Sequence, residues 1–255
     1  EFYRIDTALR FPTVNVGDWS VRIHGMVDRE ITLDYDQLLA RPMVERMVTL
    51  CCVSNEVGGN LIGNAVWQGV ALRPLLEEAG VQPGVEQVFS ESVDGFTCGF
   101  PVEAAFDRDC LIAIAMNGEP LPLAHGFPAR LVVPGLYGYV SATKWLSRIE
   151  LTTWNDASGY WIPRGWSRLG PIKTQSRIDV PRRNEQVTAG TVAVAGVAWA
   201  QHRGIARVEV RVDGGEWNEA RLGDGAGADA WTQWVYEWQA EPGAHTLQVR
   251  ATDTT

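Results

Sequence analysis

Apolar and polar residues alternate along Trp19-Ser20-Val21-Arg22-Ile23-His24-Gly25. A period of two predicts a strand with one buried face. Asp34-Tyr35-Asp36-Gln37-Leu38-Leu39 predicts a short helix capped by Asp34 and closed off by Pro42. A strand follows and runs to Cys52, with Val48 to Leu50 as its buried end. Leu72 to Ala79 predicts a helix, with Arg73-Pro74 in its first turn and Gly80 as its stop. Val88-Phe89-Ser90 predicts a strand before the Asp94-Gly95 turn, and Val102 to Phe106 begins a helix. Leu111 to Met116 is apolar throughout, so periodicity leaves strand and helix both open. Leu131 to Gly135 and Arg148 to Thr152 predict further strands.

The pattern changes near Ile172. Thr191 to Trp199 predicts a strand. Val208, Val210 and Val212 alternate with Glu209, Arg211 and Asp213; Trp234, Tyr236 and Trp238 alternate again before Thr246 to Arg250. Short strands at this spacing predict an antiparallel β-sandwich of immunoglobulin type. The expected class is α+β: a mixed α/β domain over residues 1–153, a connecting segment 154–175 rich in Trp, Gly and Pro, and a β-sandwich over residues 176–255.

Composition sharpens this picture. With 255 residues at 45% hydrophobic content, the chain can bury one large and one smaller core. A net charge of −9 and a pI near 5.0 exclude nucleic acid and a basic membrane-binding surface. The four cysteines, Cys51, Cys52, Cys98 and Cys110, make no zinc spacing, and the four histidines are scattered. Two buried thiols fit Cys98 and Cys110 better than a disulfide. No apolar run spans a bilayer. The abrupt opening on Glu1-Phe2-Tyr3-Arg4 and the close on a strand end carry the expectation of a longer protein.

Two stretches carry chemistry. Val48-Thr49-Leu50 leads into the adjacent thiols Cys51 and Cys52, and then into the polar, glycine-rich Ser54-Asn55-Glu56-Val57-Gly58-Gly59-Asn60. Neighbours on a strand point to opposite faces, so one thiol faces the core and the other the loop side. A single soft thiolate suits a metal that a cofactor already mostly coordinates. Both thiols also read as small buried hydrophobes. The second stretch runs from His125 to Trp145. It gathers His125, Arg130 and Lys144, with Ser141 and Thr143 adding hydroxyl donors, a set suited to a phosphate in an otherwise acidic chain.

The ordered series Val48-Thr49-Leu50-Cys51-Cys52-Val53-Ser54-Asn55, Trp67-x-Gly69-Val70-x-Leu72, Met116-Asn117-Gly118-Glu119-Pro120, His125-Gly126-Phe127-Pro128-Ala129-Arg130 and Lys144-Trp145-Leu146 resembles the molybdopterin-binding oxidoreductases of the sulfite oxidase superfamily. The resemblance implies a molybdenum-molybdopterin cofactor whose metal is ligated by Cys52, with Cys51 structural. It also implies cofactor contacts from Tyr3, Arg4, Ser54, Asn55, Thr97, His125, Arg130, Ser141, Thr143 and Lys144. The implied chemistry is two-electron oxygen-atom transfer on a small-molecule substrate, with molybdenum cycling between its (VI) and (IV) states and a separate electron-transfer partner. A homodimer through the C-terminal domain, membrane segments ahead of residue 1 and an extracytoplasmic location complete the expectation.

Substrate identity departs from the pattern. Sulfite oxidases carry an arginine shortly after the ligand cysteine, where this chain has Glu56 and Val57. They carry a tyrosine just before the Met-Asn-Gly motif, where it has Ile114. These departures favour a neutral sulfoxide or N-oxide over sulfite. Two alternatives stay open: a sulfite oxidase in which Arg4, Arg164 or Arg168 substitutes, and a cofactor-free interaction module. Exposed aromatics of the connecting segment, with Arg164, wall the site entrance or pack on the second domain.

Overall fold

The computed structural model describes residues 2–255. Two sheets build the first domain. The strands of the first sheet are β1 (Ser20–Gly25), β2 (Ile31–Asp34), β5 (Gln87–Ser92), β6 (Thr97–Pro101) and β10 (Leu146–Thr152), in the order β2-β1-β10-β5-β6. Only the β1–β10 pairing is parallel. The second sheet contains β3 (Met43–Cys51), β4 (Ile62–Ala71), β7 (Leu111–Met116) and β8 (Glu119–Pro120), with β9 (Arg130–Val132) on the free side of β7. Four short helices, α1 (Tyr35–Leu39), α2 (Leu72–Ala79), α3 (Val102–Asp107) and α4 (Gly138–Ser141), connect and cover them.

Local chemistry explains the boundaries. Asp34 accepts from the Gln37 amide at 2.7 Å and the Gln37 side chain accepts from the Asp34 amide at 3.0 Å, closing a capping box on α1. Gly80 ends α2 at φ +72°, a left-handed stop that a β-carbon disfavours. The ambiguous run Leu111–Met116 is a strand because it has two cores to serve. Ile112 and Ile114 face a core with Leu72, Leu76, Val88 and Ile149, whereas Leu111 and Ala113 face a second core with Val48, Leu50 and Trp67. A strand buried on both faces has no polar alternation to show. β3 stops at Cys51, one residue earlier than expected, because the Cys52 amide turns to the Leu61 carbonyl at the neck of a loop.

A β-sandwich forms the second domain. One sheet runs β11 (Gln175–Val180), β12 (Gly190–Trp199), β16 (Thr232–Ala240), β15 (Arg221–Leu222). The other runs β14 (Asn218–Glu219), β13 (Ile205–Val212), β17 (Leu247–Asp253). Val194, Val208, Val210, Trp234 and Trp238 fill the space between. The aromatics of these strands are therefore core residues. The α+β class expected from the pattern is the observed one.

The domains meet along β3, an edge strand of its sheet. Fully buried Thr49 donates its amide to the Asp229 carbonyl at 2.9 Å, and its hydroxyl accepts from the Trp231 amide at 2.7 Å. Its carbonyl accepts from the Gln201 side chain at 2.7 Å. The second domain thus satisfies the edge groups next to Cys51 and keeps them from solvent. Cys51 joins Tyr137, Ile172, Val197 and Trp199 in an apolar cluster spanning the joint. Cys98 and Cys110 are buried thiols with separate partners, Thr143 and Ser90 for one and the Ala104 carbonyl for the other. Among the described residues, no helix is long and apolar enough to cross a membrane.

Candidate active site

The two thiols diverge as strand geometry requires. Cys51 is fully buried, and burial pushes its thiol up to about 12. Such a group stays protonated and inert. Cys52 is half-buried and lines a cleft of about 800 Å³, mouth included. Its loop is compact: the Cys52 amide donates to the Leu61 carbonyl at 2.9 Å, the Asn55 amide to the Cys52 carbonyl at 3.0 Å, and the Leu61 amide to the Asn55 side-chain oxygen at 2.8 Å. α4 begins beside the backbone of the thiol pair. Its first residue is Gly138, where a β-carbon would sit 3.9 Å from both the Cys51 carbonyl and the Tyr3 hydroxyl.

One end of the cleft is cationic. Arg130 leaves β9 and is buried, its guanidinium over the Trp67 ring at 5.0 Å. It donates only to the Leu131 and His125 carbonyls, at 3.4 and 3.2 Å, and among the described residues no carboxylate lies within ion-pairing distance. Burial pushes Arg130 down to about 10. Lys144 is pushed down to about 8, by burial and by neighbouring Arg130, although Asp6 pairs with it. His125 is lowered by burial, then by Arg130 and Lys144, so its imidazole is neutral at pH 7. Gly126, at φ +109°, draws this end together: a β-carbon there would lie 3.0 Å from Lys144 Cβ and 3.1 Å from Arg130 Cβ. Trp145 holds the left-handed region at φ +49°, a strained backbone at a residue that itself lines the cleft.

Residues 2–7 form one wall. Phe2 stacks on Tyr3 and meets Trp67 and His125 edge-on, with centroids 5.2, 5.4 and 5.6 Å apart. Gly63 makes room for it; a β-carbon there would come within 2.8 Å of the ring. Tyr3 is raised by burial, so its hydroxyl stays a donor. The opposite mouth is aromatic. Trp161 and Tyr139 line it, each about 5 Å from Trp166, which lies between them.

Of the residues expected at the cofactor, the fold brings Tyr3, Cys52, His125, Arg130 and Lys144 into this one cleft. It does not bring the others to its lining. Arg4 is exposed, ion-paired with Asp6 at 2.6 Å and stacked on Phe11. Ser54 is exposed on the loop. Asn55 is buried and ties the loop, leaving its side-chain nitrogen without a partner. Thr97 offers its carbonyl to the Tyr160 amide. Ser141 donates to the Tyr137 carbonyl at 3.1 Å, and Thr143 bonds Ser90 and Cys98 at 2.8 and 3.0 Å. Of the two departures, Glu56 is exposed on the loop and Ile114 sits in the first core, so neither side chain faces the cleft. The acids that do are Asp6 and Asp94. Asp6, Asp94, Phe96 and Tyr139 escaped sequence reasoning; the sole hint was the Asp94-Gly95 turn.

Chemically, the cleft offers one half-buried thiol in its lining and, beside it, donors lacking a matching anion. A buried guanidinium without a counterion is costly unless a ligand supplies the charge. A phosphate-bearing, metal-carrying cofactor fits both features. Among the described residues no three metal-ligating side chains cluster, so a metal here needs further ligands from the cofactor.

Fold and site together define a protein built to hold an anionic cofactor beside one thiol. The chain belongs to the molybdopterin-binding oxidoreductase family: residues 8–161 match the oxidoreductase molybdopterin binding domain, and residues 175–249 a bacterial Ig domain. It is thus an oxidoreductase that binds a molybdopterin cofactor. It is 34% identical over 169 residues to the uncharacterized oxidoreductase YuiH of Bacillus subtilis, covering 63% of this chain and 82% of that protein. It is 30% identical over 294 residues to human mitochondrial sulfite oxidase, covering 95% of this chain and 53% of that one. The structure of the sulfane dehydrogenase SoxCD from Paracoccus pantotrophus superposes with a TM-score of 0.84 at 27% identity, covering 96% of this chain and 69% of that chain. The chain spans about half the length of the sulfite oxidases it matches.

The depressed Lys144 predicts a pH dependence. Below about 8 the amine is already charged and anion affinity is fully present; above it, binding must take up a proton, so affinity falls by up to about tenfold per pH unit. Calorimetry with sulfate, whose charge is fixed, is expected to show this fall between pH 7 and 9. Lys144→Arg should flatten it, since a guanidinium stays charged.

Proposed function

We propose that the chain carries out two-electron oxygen-atom transfer on a small neutral substrate of sulfoxide or N-oxide type. Molybdenum-molybdopterin supplies the redox chemistry when bound. Cys52 is the metal ligand in this reading, because it alone of the four thiols lines the cleft. Arg130, Lys144 and His125 hold the phosphate end, and Tyr3 and Gly138 flank the thiol. In the reductive direction a sulfoxide, two electrons and two protons give a sulfide and water.

The observation that carries the substrate class is the placement of cations. Among the described residues, Arg130 is the one arginine in the cleft lining, at the cofactor end. None of the candidates for a replaced sulfite contact is among the residues that line the cleft. Arg4 pairs with Asp6, Arg164 stacks on Tyr160 at 3.7 Å, and Arg168 approaches Trp154. The mouth instead presents Trp161, Tyr139, Phe96 and the carboxylate of Asp94. An anion is repelled there, and a neutral polar molecule is not. The names of the relatives favour sulfite as the second reading. Reduction of dimethyl sulfoxide and trimethylamine N-oxide with a dye donor, against sulfite oxidation with a dye acceptor, separates the two. We expect kcat/KM for at least one neutral oxide to exceed that for sulfite by roughly 10²-fold or more, the scale that follows when a site lacks two groups needed to bind its substrate. Efficient sulfite oxidation without oxide turnover overturns the assignment.

We propose further that electrons pass to or from a separate carrier, that the β-sandwich serves as a homodimer interface, and that the protein acts outside the cytoplasm.

A further inference from the structure

The loop after Cys52 is not held by the first domain alone. Arg177, on β11 of the β-sandwich, reaches across the joint and donates from Nη1 to the Gly59 carbonyl at 2.8 Å. Among the described residues the one other side chain outside the loop that donates near it is Cys51, whose thiol meets the Cys52 carbonyl at 3.4 Å at the neck. Arg177 is itself fixed. Its Nε donates to Asp179 at 2.7 Å, its guanidinium lies over Trp231, and its side chain is 14% exposed. Its backbone pairs with Val197 in the β11–β12 ladder. Gly196 on β12 lies so close beneath it that a β-carbon there would collide with the Arg177 carbonyl. The receiving end is equally tight. A β-carbon on Gly59 would meet the Asn55 side-chain oxygen and the Glu56 carbonyl, each at 2.8 Å. Asn55 in turn binds both Leu61 and the carbonyl of Cys52. A displacement of Gly59 therefore reaches the Cys52 backbone by two short paths, through the Asn55 hydrogen bonds and through Leu61, whose carbonyl holds the Cys52 amide.

We propose that Arg177 is a positioning residue for the Cys52 thiol, so that the β-sandwich domain takes part in the reaction by holding the ligand loop at a fixed distance from the cleft. The proposal rests on the assignment of Cys52 as the metal ligand, but its first test does not. Exposed glycine-rich loops open locally at small cost, and a buried tether raises that cost. Loss of one hydrogen bond whose donor water can take over on opening shifts such an equilibrium by roughly five- to tenfold.

The experiment is iodoacetamide alkylation of the full chain purified without molybdate, followed by peptide mass spectrometry that separates Cys52 from Cys51. Arg177→Ala is expected to alkylate Cys52 roughly five to ten times faster than wild type. Arg177→Lys, which keeps one donor, should restore most of the protection. Asp179→Ala, which removes the ion pair but leaves the donor to Gly59, should behave like wild type. Equal rates in wild type and a folded Arg177→Ala overturn the proposal. So does equal acceleration by Asp179→Ala, which would make the effect one of general domain loosening. If Arg177→Ala does not fold, Arg177→Gln, with its single shorter donor, takes its place, and a wild-type rate for it overturns the proposal equally. On molybdate-grown protein, the Mo(V) paramagnetic resonance of Arg177→Ala should be altered or broadened relative to Asp179→Ala, which a purely structural role would not produce. Absence of molybdenum from wild type would end the oxidoreductase assignment of Cys52 while leaving the alkylation result standing, so the two failures are distinct.

Discussion

Cys52→Ala is expected to fold like the parent chain and to lose its molybdenum–thiolate spectroscopic signature, with activity down by roughly 10³-fold or more. Cys51→Ala should keep both. The contrast is sharp because the residues are neighbours with equal chemistry and opposite surroundings. Cys51 lies in the apolar cluster with Tyr137, Val197 and Trp199, its thiol protonated at every physiological pH, and its loss costs about 1 kcal/mol of packing. Cys52 stands at the cleft, where truncation leaves no buried cavity and removes only the sulfur. Metal analysis of the two variants beside wild type, all grown with molybdate, checks this directly. If Cys51→Ala loses the signal and Cys52→Ala keeps it, the ligand has been assigned to the wrong face of the strand.

Arg130→Met is expected to move stability and ligand binding in opposite directions. In the cofactor-free chain, Arg130 is a buried cation without a carboxylate partner among the described residues, pushed down to about 10 by desolvation. Replacing such a charge with an apolar side chain of similar volume raises stability by about 1–3 kcal/mol, even though the Leu131 and His125 carbonyls each lose a donor. The same change removes the strongest anion donor of the cleft, and should cut cofactor occupancy and sulfate affinity on the order of 10²-fold. Thermal melts of the cofactor-free protein and calorimetry with sulfate measure the two effects separately. A melt that falls, with sulfate binding intact, would mean that Arg130 is a core brace and that the anion lies elsewhere.

Much of the scaffold was readable from local pattern. The helix over Leu72–Ala79 has its stop glycine and its apolar spacing in plain view, and the alternation at Val208–Val212 marks a half-buried strand. The divergence of Cys51 and Cys52 follows from strand period alone. Distant pairing was less readable. Ser141 and Thr143 sit beside the anion-binding residues in the chain, which suggested hydroxyl contacts to a phosphate. In the fold, Thr143 is drawn to Ser90, 53 residues away, and Ser141 to the carbonyl four residues behind it. A hydroxyl takes whichever partner the fold brings nearest, and sequence does not rank those partners. The same limit applied to Glu56, whose position on the loop after the ligand cysteine suggested a charge facing the substrate, whereas the chain turns it outward. Asp6 and Arg177 belong to the cleft and its loop only through contacts 138 and 118 residues apart, which no window of local pattern contains.

The wall made by residues 2–7 has a consequence for how the cleft is completed during synthesis. These residues belong to no strand or helix, and Asp6 meets Lys144 only after the intervening chain has been made. Phe2 finds Trp67 and Gly63 as soon as β4 is made, whereas the Asp6–Lys144 pair waits for the turn just before β10. The wall is thus fastened in two stages by side chains alone, and its detachment would break no ladder hydrogen bond. Of the walls of the cleft, it is the one whose opening leaves both sheets intact.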